Sequence, residues 1–441
     1  MAKRAVVIVV MILIASALCC NANTIWDYEA VDTNGIGTNP LVAGFSGGSF
    51  SVPEEMVTVE GVALAGYNEI VDPDGPVGYS TYYTAFLQDT TSDRGGIQIW
   101  AGSWFYGNLW SAYRQSYYIN FQAGDRLRVT GYLADAHRGK VVINHLHTAN
   151  PSYAFTVEVL DHPGLPEPAL ITKVSDCNYF DQSRAGGGEY YQTRYVRLYG
   201  VHVTSGTWTS GQQLTIGDST GDVGMLLSTV GDFSGCANLK GSLSVTGIFD
   251  QEDTSVPCTS NYRVWVKNSS DIALARVVSR VFDDCFYVQE EGRQSGIKVI
   301  GSFDVHPGDR VALQGTFTSE GREQVMDATA CPVVYSGDAP KPIGINGRTL
   351  SADKGLSVSG ILVRCCGTLG QSIGDGNYDF TTDNGDTIRL TKATGITAQE
   401  GDFVAVNAIA SLEGDGVTPK LILGDPNDLA VMHHPSTTIA N

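Results

Sequence analysis

At 441 residues the chain is too long for one small barrel and fits three or four domains of roughly 100–150 residues each. Glycine supplies 51 positions and only 17% of residues are charged, with Val, Thr, Ser and Tyr recurring throughout, which favours strands and turns over helices. The formal net charge is −19, or −21 without Lys3 and Arg4; so acidic a chain repels polyanions at long range, and nucleic acid is a disfavoured partner.

The first residues, Met1-Ala-Lys-Arg4 and an uncharged run from Ala5 to Leu18, have the basic and apolar regions of a secretory signal. The run is too short to span a bilayer. Cleavage is expected after Ala22, or earlier after Ala17. Cys19 and Cys20 invite lipidation, but Leu18 and Cys19 are poor residues before a lipidated cysteine. Residues 1–22 are therefore read as a signal peptide, and the Gly-, Asn- and Ser-rich residues 23–52 as an exported leader. No later stretch is apolar enough to anchor the mature chain. Within the leader, Gly44-Phe-Ser-Gly-Gly48 satisfies the pattern of a nucleophile elbow. Its continuation, Ser49-Phe-Ser-Val-Pro53, is non-helical, which removes the strand-to-helix turn that chemistry needs.

From residue 53 onward the chain repeats itself. Val57–Leu64, Val196–Val203 and Leu356–Val363 are strands with a central glycine, read as the bend of a barrel corner. Hairpins follow: Ala85–Asp89 with Gly96–Trp100, Leu214–Asp218, Phe286–Glu290 with Gly296–Ile300, and Tyr378–Asp383 with Thr387–Leu390. A Gly-Asp turn then feeds an alternating strand at Gly124-Asp125, Gly308-Asp309 and Gly401-Asp402. A fourth copy keeps only the strand, Leu243–Gly247. Pro-rich residues 161–168 and 336–347 separate modules.

The elements Phe286-Tyr-Val-Gln-Glu290, Ser295-Gly-Ile-Lys-Val299 and Pro307-Gly-Asp-Arg-Val311, with their weaker echoes, resemble tandem OB-fold modules of secreted bacterial proteins. The resemblance implies an all-β chain of four OB-like five-stranded Greek-key barrels in tandem, whose second and third strands commonly carry ligand. It implies no particular ligand. The expected modules are residues 53–160, 169–274, 275–335 and 348–432, with a tail at 433–441.

The first module departs from the pattern. From Ile97 to Gly124 it is about sixteen residues longer than the third module from Ile297 to Gly308. The insertion carries Trp104, Tyr106, Asn108, Trp110, Tyr113, Arg114 and Tyr117, aromatic rings beside amide and guanidinium groups that suit stacking on sugars. The spacing of Tyr106, Trp110, Tyr113 and Tyr117 favours one buried helix face, the stronger of the two readings. His145 and His147 share a strand side without a third ligand, and Asp72–Gly75 and Asp383–Asp386 read as hairpin turns, so neither metal nor cofactor is expected. Arg126 and Arg128 share a strand face but form no basic stripe.

Seven cysteines follow the signal, and in an oxidising compartment Cys236 with Cys258 and Cys285 with Cys331 are the expected disulfides. The reading is an exported, non-catalytic binding or structural protein, binding an extracellular glycan through the first module or contacting a cell-surface protein. The alternative is a hydrolase or nuclease with a site between barrels; single-stranded nucleic-acid binding comes third.

Overall fold

The computed structural model describes residues 24–46, 49–67, 69–72, 82–90, 95–102, 121–135, 139–146, 150–253, 255–320, 322–350 and 358–434. The expected signal peptide lies outside them. Barrel 1 consists of β1 (Val57–Ala63), β2 (Tyr82–Asp89), β3 (Gly96–Gly102), β4 (Arg126–Asp135) and β5 (Val141–Asn144). The ladder runs β1-β2-β3-β5-β4 and returns to β1, with β3 and β5 the one parallel pair. This is the OB-like arrangement of a five-stranded barrel.

The same order recurs in β6 (Tyr195–Ser205), β7 (Gln213–Asp218), β8 (Gly221–Leu227), β9 (Leu243–Gln251) and β10 (Tyr262–Val266), which form barrel 2. Barrel 3 uses β11 (Ile272–Val281), β12 (Cys285–Gln289), β13 (Gly296–Ile300), β14 (Asp309–Glu320) and β15 (Glu323–Ala330). Barrel 4 uses β16 (Leu362–Gly374), β17 (Asn377–Thr382), β18 (Thr387–Thr391), β19 (Phe403–Leu412) and β20 (Pro419–Leu423).

Four OB-like barrels in tandem were expected, and the number is corrected: the four five-strand repeats, labelled barrels 1 to 4, make up three closed bodies. Sheets of eight, twelve and seven strands hold them, and the twelve-stranded one is barrels 2 and 3 fused. The fusion is a backbone ladder in which Leu243–Val245 of β9 pairs with Ile272–Leu274 of β11. Their interiors also merge into one core, from Val196 and Phe249 through to Val288 and Met326. Nothing in the local sequence distinguishes a strand that closes its own barrel from one that also extends into the next.

Alternation builds each strand. Along β4, Leu127 and Val129 point inward while Arg126, Arg128 and Thr130 lie on the outer face. The expected first strand of the last module, Leu356–Val363, is displaced: β16 runs Leu362–Gly374, and Gly360 precedes it. The segment read as a leader packs onto barrel 1. Its short helix, Ile25–Tyr28, sets Ile25 and Tyr28 into the core of barrel 1, and Val42–Ala43 pairs parallel with β4.

The Gly-Asp turns have a common construction. Gly124, Gly308 and Gly401 take φ of +91°, +101° and +91°, where a side chain would be strained. The next residue then binds twice. Oδ2 of Asp125, Asp309 and Asp402 accepts from the backbone N–H of Gln122, His306 and Gln399, each at 2.8 Å. Oδ1 meets His162 Nδ1, Ser336 Oγ and His434 Nδ1 at 2.7, 2.6 and 2.7 Å, tying the segment after each barrel back to its turn.

The expected disulfides are overturned: all seven described cysteines are free thiols. Cys285 faces outward into a cluster with Leu362, Ile409 and Ile422 of barrel 4, whereas Cys331 packs in the core of barrels 2 and 3. The two point into different clusters, which is why they do not bridge. Burial pushes the thiols up, Cys177, Cys331 and Cys365 to about 12 and Cys236, Cys258 and Cys285 to about 11. They act as small apolar side chains.

Candidate functional site

An OB barrel commonly takes ligand on the face of its second and third strands and in the loops beside it. In barrel 1, the inward Ala85, Leu87, Ile97 and Ile99 leave Phe86, Gln88 and Gln98 on that face, and all three are buried. Barrel 2 covers Phe86 and Gln88, while Gln98 donates to Thr84 Oγ1 at 2.7 Å within barrel 1. Phe86 meets Trp265 edge-on with ring centroids 5.6 Å apart, and both pack with Tyr195 and Ile248. Gln88 Oε1 accepts from the backbone N–H of Tyr195 at 2.9 Å. At Gly96 the carbonyl of Thr193 lies so near that any Cβ would collide with it.

Barrel 3 repeats this against barrel 4, position for position. Tyr287 stands where Phe86 does and packs with Leu362, Ile409 and Ile422. Gln289 Oε1 accepts from the N–H of Leu362 at 3.2 Å, and a Cβ at Gly296 would collide with the backbone of Gly360. The motif residues Gln and Gly thus dock the next barrel, a role invisible in the sequence because alternation gives a face but not what covers it.

Charge is buried at the first junction. Asp250 is fully buried and binds both Lys140 of barrel 1 and, at 2.9 Å, Nε of Arg263. Glu252 adds contacts to Lys140 at 3.6 Å and Arg263 at 3.3 Å. Burial alone would raise the Asp250 carboxyl, but Lys140 and Arg263 outweigh it and hold it below its ordinary value. Nearby, Glu189 accepts from the Tyr262 hydroxyl at 2.8 Å, and burial lifts it to about 7. Glu29 of the leader is likewise raised by burial. The leader bridges this junction: Arg184 donates to the Trp26 carbonyl at 2.6 Å and covers its ring, and Asn34 accepts from the N–H of Cys258 at 2.7 Å.

The second junction instead holds a cavity of about 490 Å³. Tyr287, Lys298 and Glu323 of barrel 3 form one wall; Asn377, Arg389, Thr391 and Lys392 of barrel 4 form the other. Glu323, which is buried, accepts from Ser411 Oγ at 3.0 Å. Lys392 lies 3.3 Å from Asp284 and 4.5 Å over the Phe282 ring. Between barrels 2 and 3 a cavity of about 610 Å³ has Arg276 in its wall, but that guanidinium serves the carbonyls of Lys240, Ser242 and Ala275.

Of the sequence-predicted site, Trp104, Tyr106, Asn108, Trp110, Tyr113, Arg114 and Tyr117 all lie outside the described residues, as do His147 and residues 73–75. Ser46 of the elbow-like pattern sits in a two-residue strand antiparallel to Ser49–Phe50. Asp383 accepts from the N–H of Gly347 at 2.7 Å within a hairpin turn. Arg126 pairs with Asp161, and Arg128 with Glu60 and Glu158, so both are engaged by carboxylates on the strand face. Among the described residues, no group of three or more His, Cys, Asp or Glu is placed to hold a metal, and no helix is long and apolar enough to cross a membrane.

These features define the class: a nearly all-β chain of OB-like barrels joined through their strand faces. No protein-family model and no curated protein matches the sequence. Solved structures show partial likeness. One, described as the molecular basis for abrogation of activation of pro-inflammatory cytokines, is 12% identical over 36% of this chain and 92% of its own, with a TM-score of 0.21. A multidomain protein with nucleic acid binding domains from Streptococcus pneumoniae is 8% identical over 52% and 73%, with a TM-score of 0.13. Drosophila Unr CSD456 is 10% identical over 55% and 98%, with a TM-score of 0.17. Likenesses of this size say nothing about what this chain binds.

Proposed function

We propose that this is an exported, non-catalytic binding or structural protein, with extracellular glycan as its ligand class. The observation that supports it is the use of the strand faces: in barrels 1 and 3 the surface an OB barrel offers to ligand is occupied by the next barrel. The chain therefore works as a braced support, and binding falls to what remains open. On barrel 2 that is Thr204, Ser205 and Thr215, and on barrel 4 Thr381, Thr387 and Arg389, hydroxyl-rich surfaces on which, among the described residues, no stacked aromatics of the kind single-stranded nucleic acid uses are found. The aromatic insertion of barrel 1 adds a second place for sugar. A glycan array with single-stranded DNA titrated at two salt concentrations tests this. Saturable glycan binding without DNA binding is expected; salt-dependent DNA binding, or turnover of a polymer, would replace the reading with one of its two alternatives.

A further inference from the structure

We infer that the cavity between barrels 3 and 4 is a saccharide site for one or two sugar units. This rests on the glycan reading above but places the ligand away from the aromatic insertion. Three observations carry it.

The first is a comparison by register. Gln98 lies opposite Val142 in barrel 1, and Lys298 opposite Val325 in barrel 3, so Lys140 and Glu323, two residues earlier, are equivalent. Ile248 pairs with Trp265 in barrel 2, and Ile409 with Ile422 in barrel 4, which makes Asp250 equivalent to Ser411 and Arg263 to Lys420. The first junction fills this place with the chain's own ion cluster, Lys140 reaching Asp250 and Glu252 across the interface. At the second, a carboxylate replaces the lysine and a hydroxyl replaces the aspartate. Ser411 Oγ donates to Glu323 Oε2 at 3.0 Å, and the space beside them stays open.

The second observation is size. About 490 Å³ falls within the roughly 300–1,000 Å³ of small-molecule sites. The third is chemistry. The lining carries four basic side chains and four carboxylates, among them Lys392 with Asp284 at 3.3 Å, and Arg389 and Lys420 with Glu413 at 3.3 and 3.8 Å, so its charges balance. A matched lining does not select a phosphate or a divalent cation. It does offer donors and acceptors side by side, with the Asn377 amide and Thr391 hydroxyl, which is what a ring of hydroxyl groups requires.

The test uses the full chain and calorimetric titration with cellobiose, chitobiose and digalacturonate. At least one should bind saturably. Glu323→Lys combined with Ser411→Asp rebuilds the ion cluster of the first junction in the cavity and should weaken that binding tenfold or more, while Arg128→Ala, on the outer strand face of barrel 1, leaves it unchanged. Should the double variant fail to fold, Asn377→Trp blocks the cavity from its outer hairpin and should give the same loss. Binding that survives both cavity variants but is lost in Trp110→Ala would overturn this site and keep the glycan reading. Absence of binding by all three sugars would overturn both.

Discussion

Barrels 1 and 2 meet as barrels 3 and 4 do, by equivalent side chains, whereas barrels 2 and 3 meet through backbone. At the two side-chain junctions a Gln caps an amide of the next barrel and a Gly admits its backbone. Yet the same frame is finished differently. The first junction is closed by Trp265, Lys140, Asp250 and Arg263, with the leader laid across it; the second is smaller, apolar at Ile422, and open beside Glu323 and Ser411. The difference teaches that the repeated motif specifies docking, while the residues around it decide between a sealed brace and a cavity.

The comparison predicts unequal costs for equivalent changes. Trp265→Ala should cost about 4–5 kcal/mol of stability, and its counterpart Ile422→Ala about 2–3, read by denaturant unfolding. Equal losses would break the claim that the first junction is the stronger. Asp250→Asn leaves Lys140 and Arg263 buried with one partner fewer and should cost about 3–4 kcal/mol, against under about 1 for Ser411→Ala.

The pH dependence separates the junctions too. Glu189 is lifted from its ordinary 4.5 to about 7 by burial, so the folded state holds a proton that the unfolded state has released. Its contribution is complete below about pH 4.5 and is lost as pH rises through about 7, a decline of up to roughly 3 kcal/mol at 1.36 kcal/mol per unit. Glu189→Gln, which can still accept from Tyr262, should flatten that slope. An unchanged slope would place the titration elsewhere, with Glu29 the next group to replace. The smallest effect expected is at the exposed trio of Arg128, Glu60 and Glu158, where Arg128→Ala should leave the denaturant midpoint nearly unchanged.

Much of the fold was legible because it rests on local rules. Alternation along Arg126–Asp135 and the Gly-Asp turns marks strands and their order whatever surrounds them. What alternation withheld was partners. Gln88 and Gln289 stood in the repeat that marks the hairpin, but their acceptor role depends on a barrel more than seventy residues away. The second bond of Asp125, Asp309 and Asp402 was hidden for another reason, since its partner varies among His162, Ser336 and His434. The disulfide reading failed where a signal existed. With Phe286 and Val288 inward, Cys285 had to face outward and away from the core that holds Cys331. The cavity was illegible, because Glu323 and Ser411 become neighbours only through the junction.

Amide hydrogen exchange at Tyr195 and Leu362 tests most directly whether the ligand faces of barrels 1 and 3 are covered by their neighbours. Each N–H donates to a glutamine of the preceding barrel and lies at the edge of its own. Docked barrels predict strong protection at both, lost selectively at Tyr195 in Gln88→Ala and at Leu362 in Gln289→Ala. Exchange at both amides as fast as in an exposed loop would mean that the faces are free and that the barrels move as separate beads.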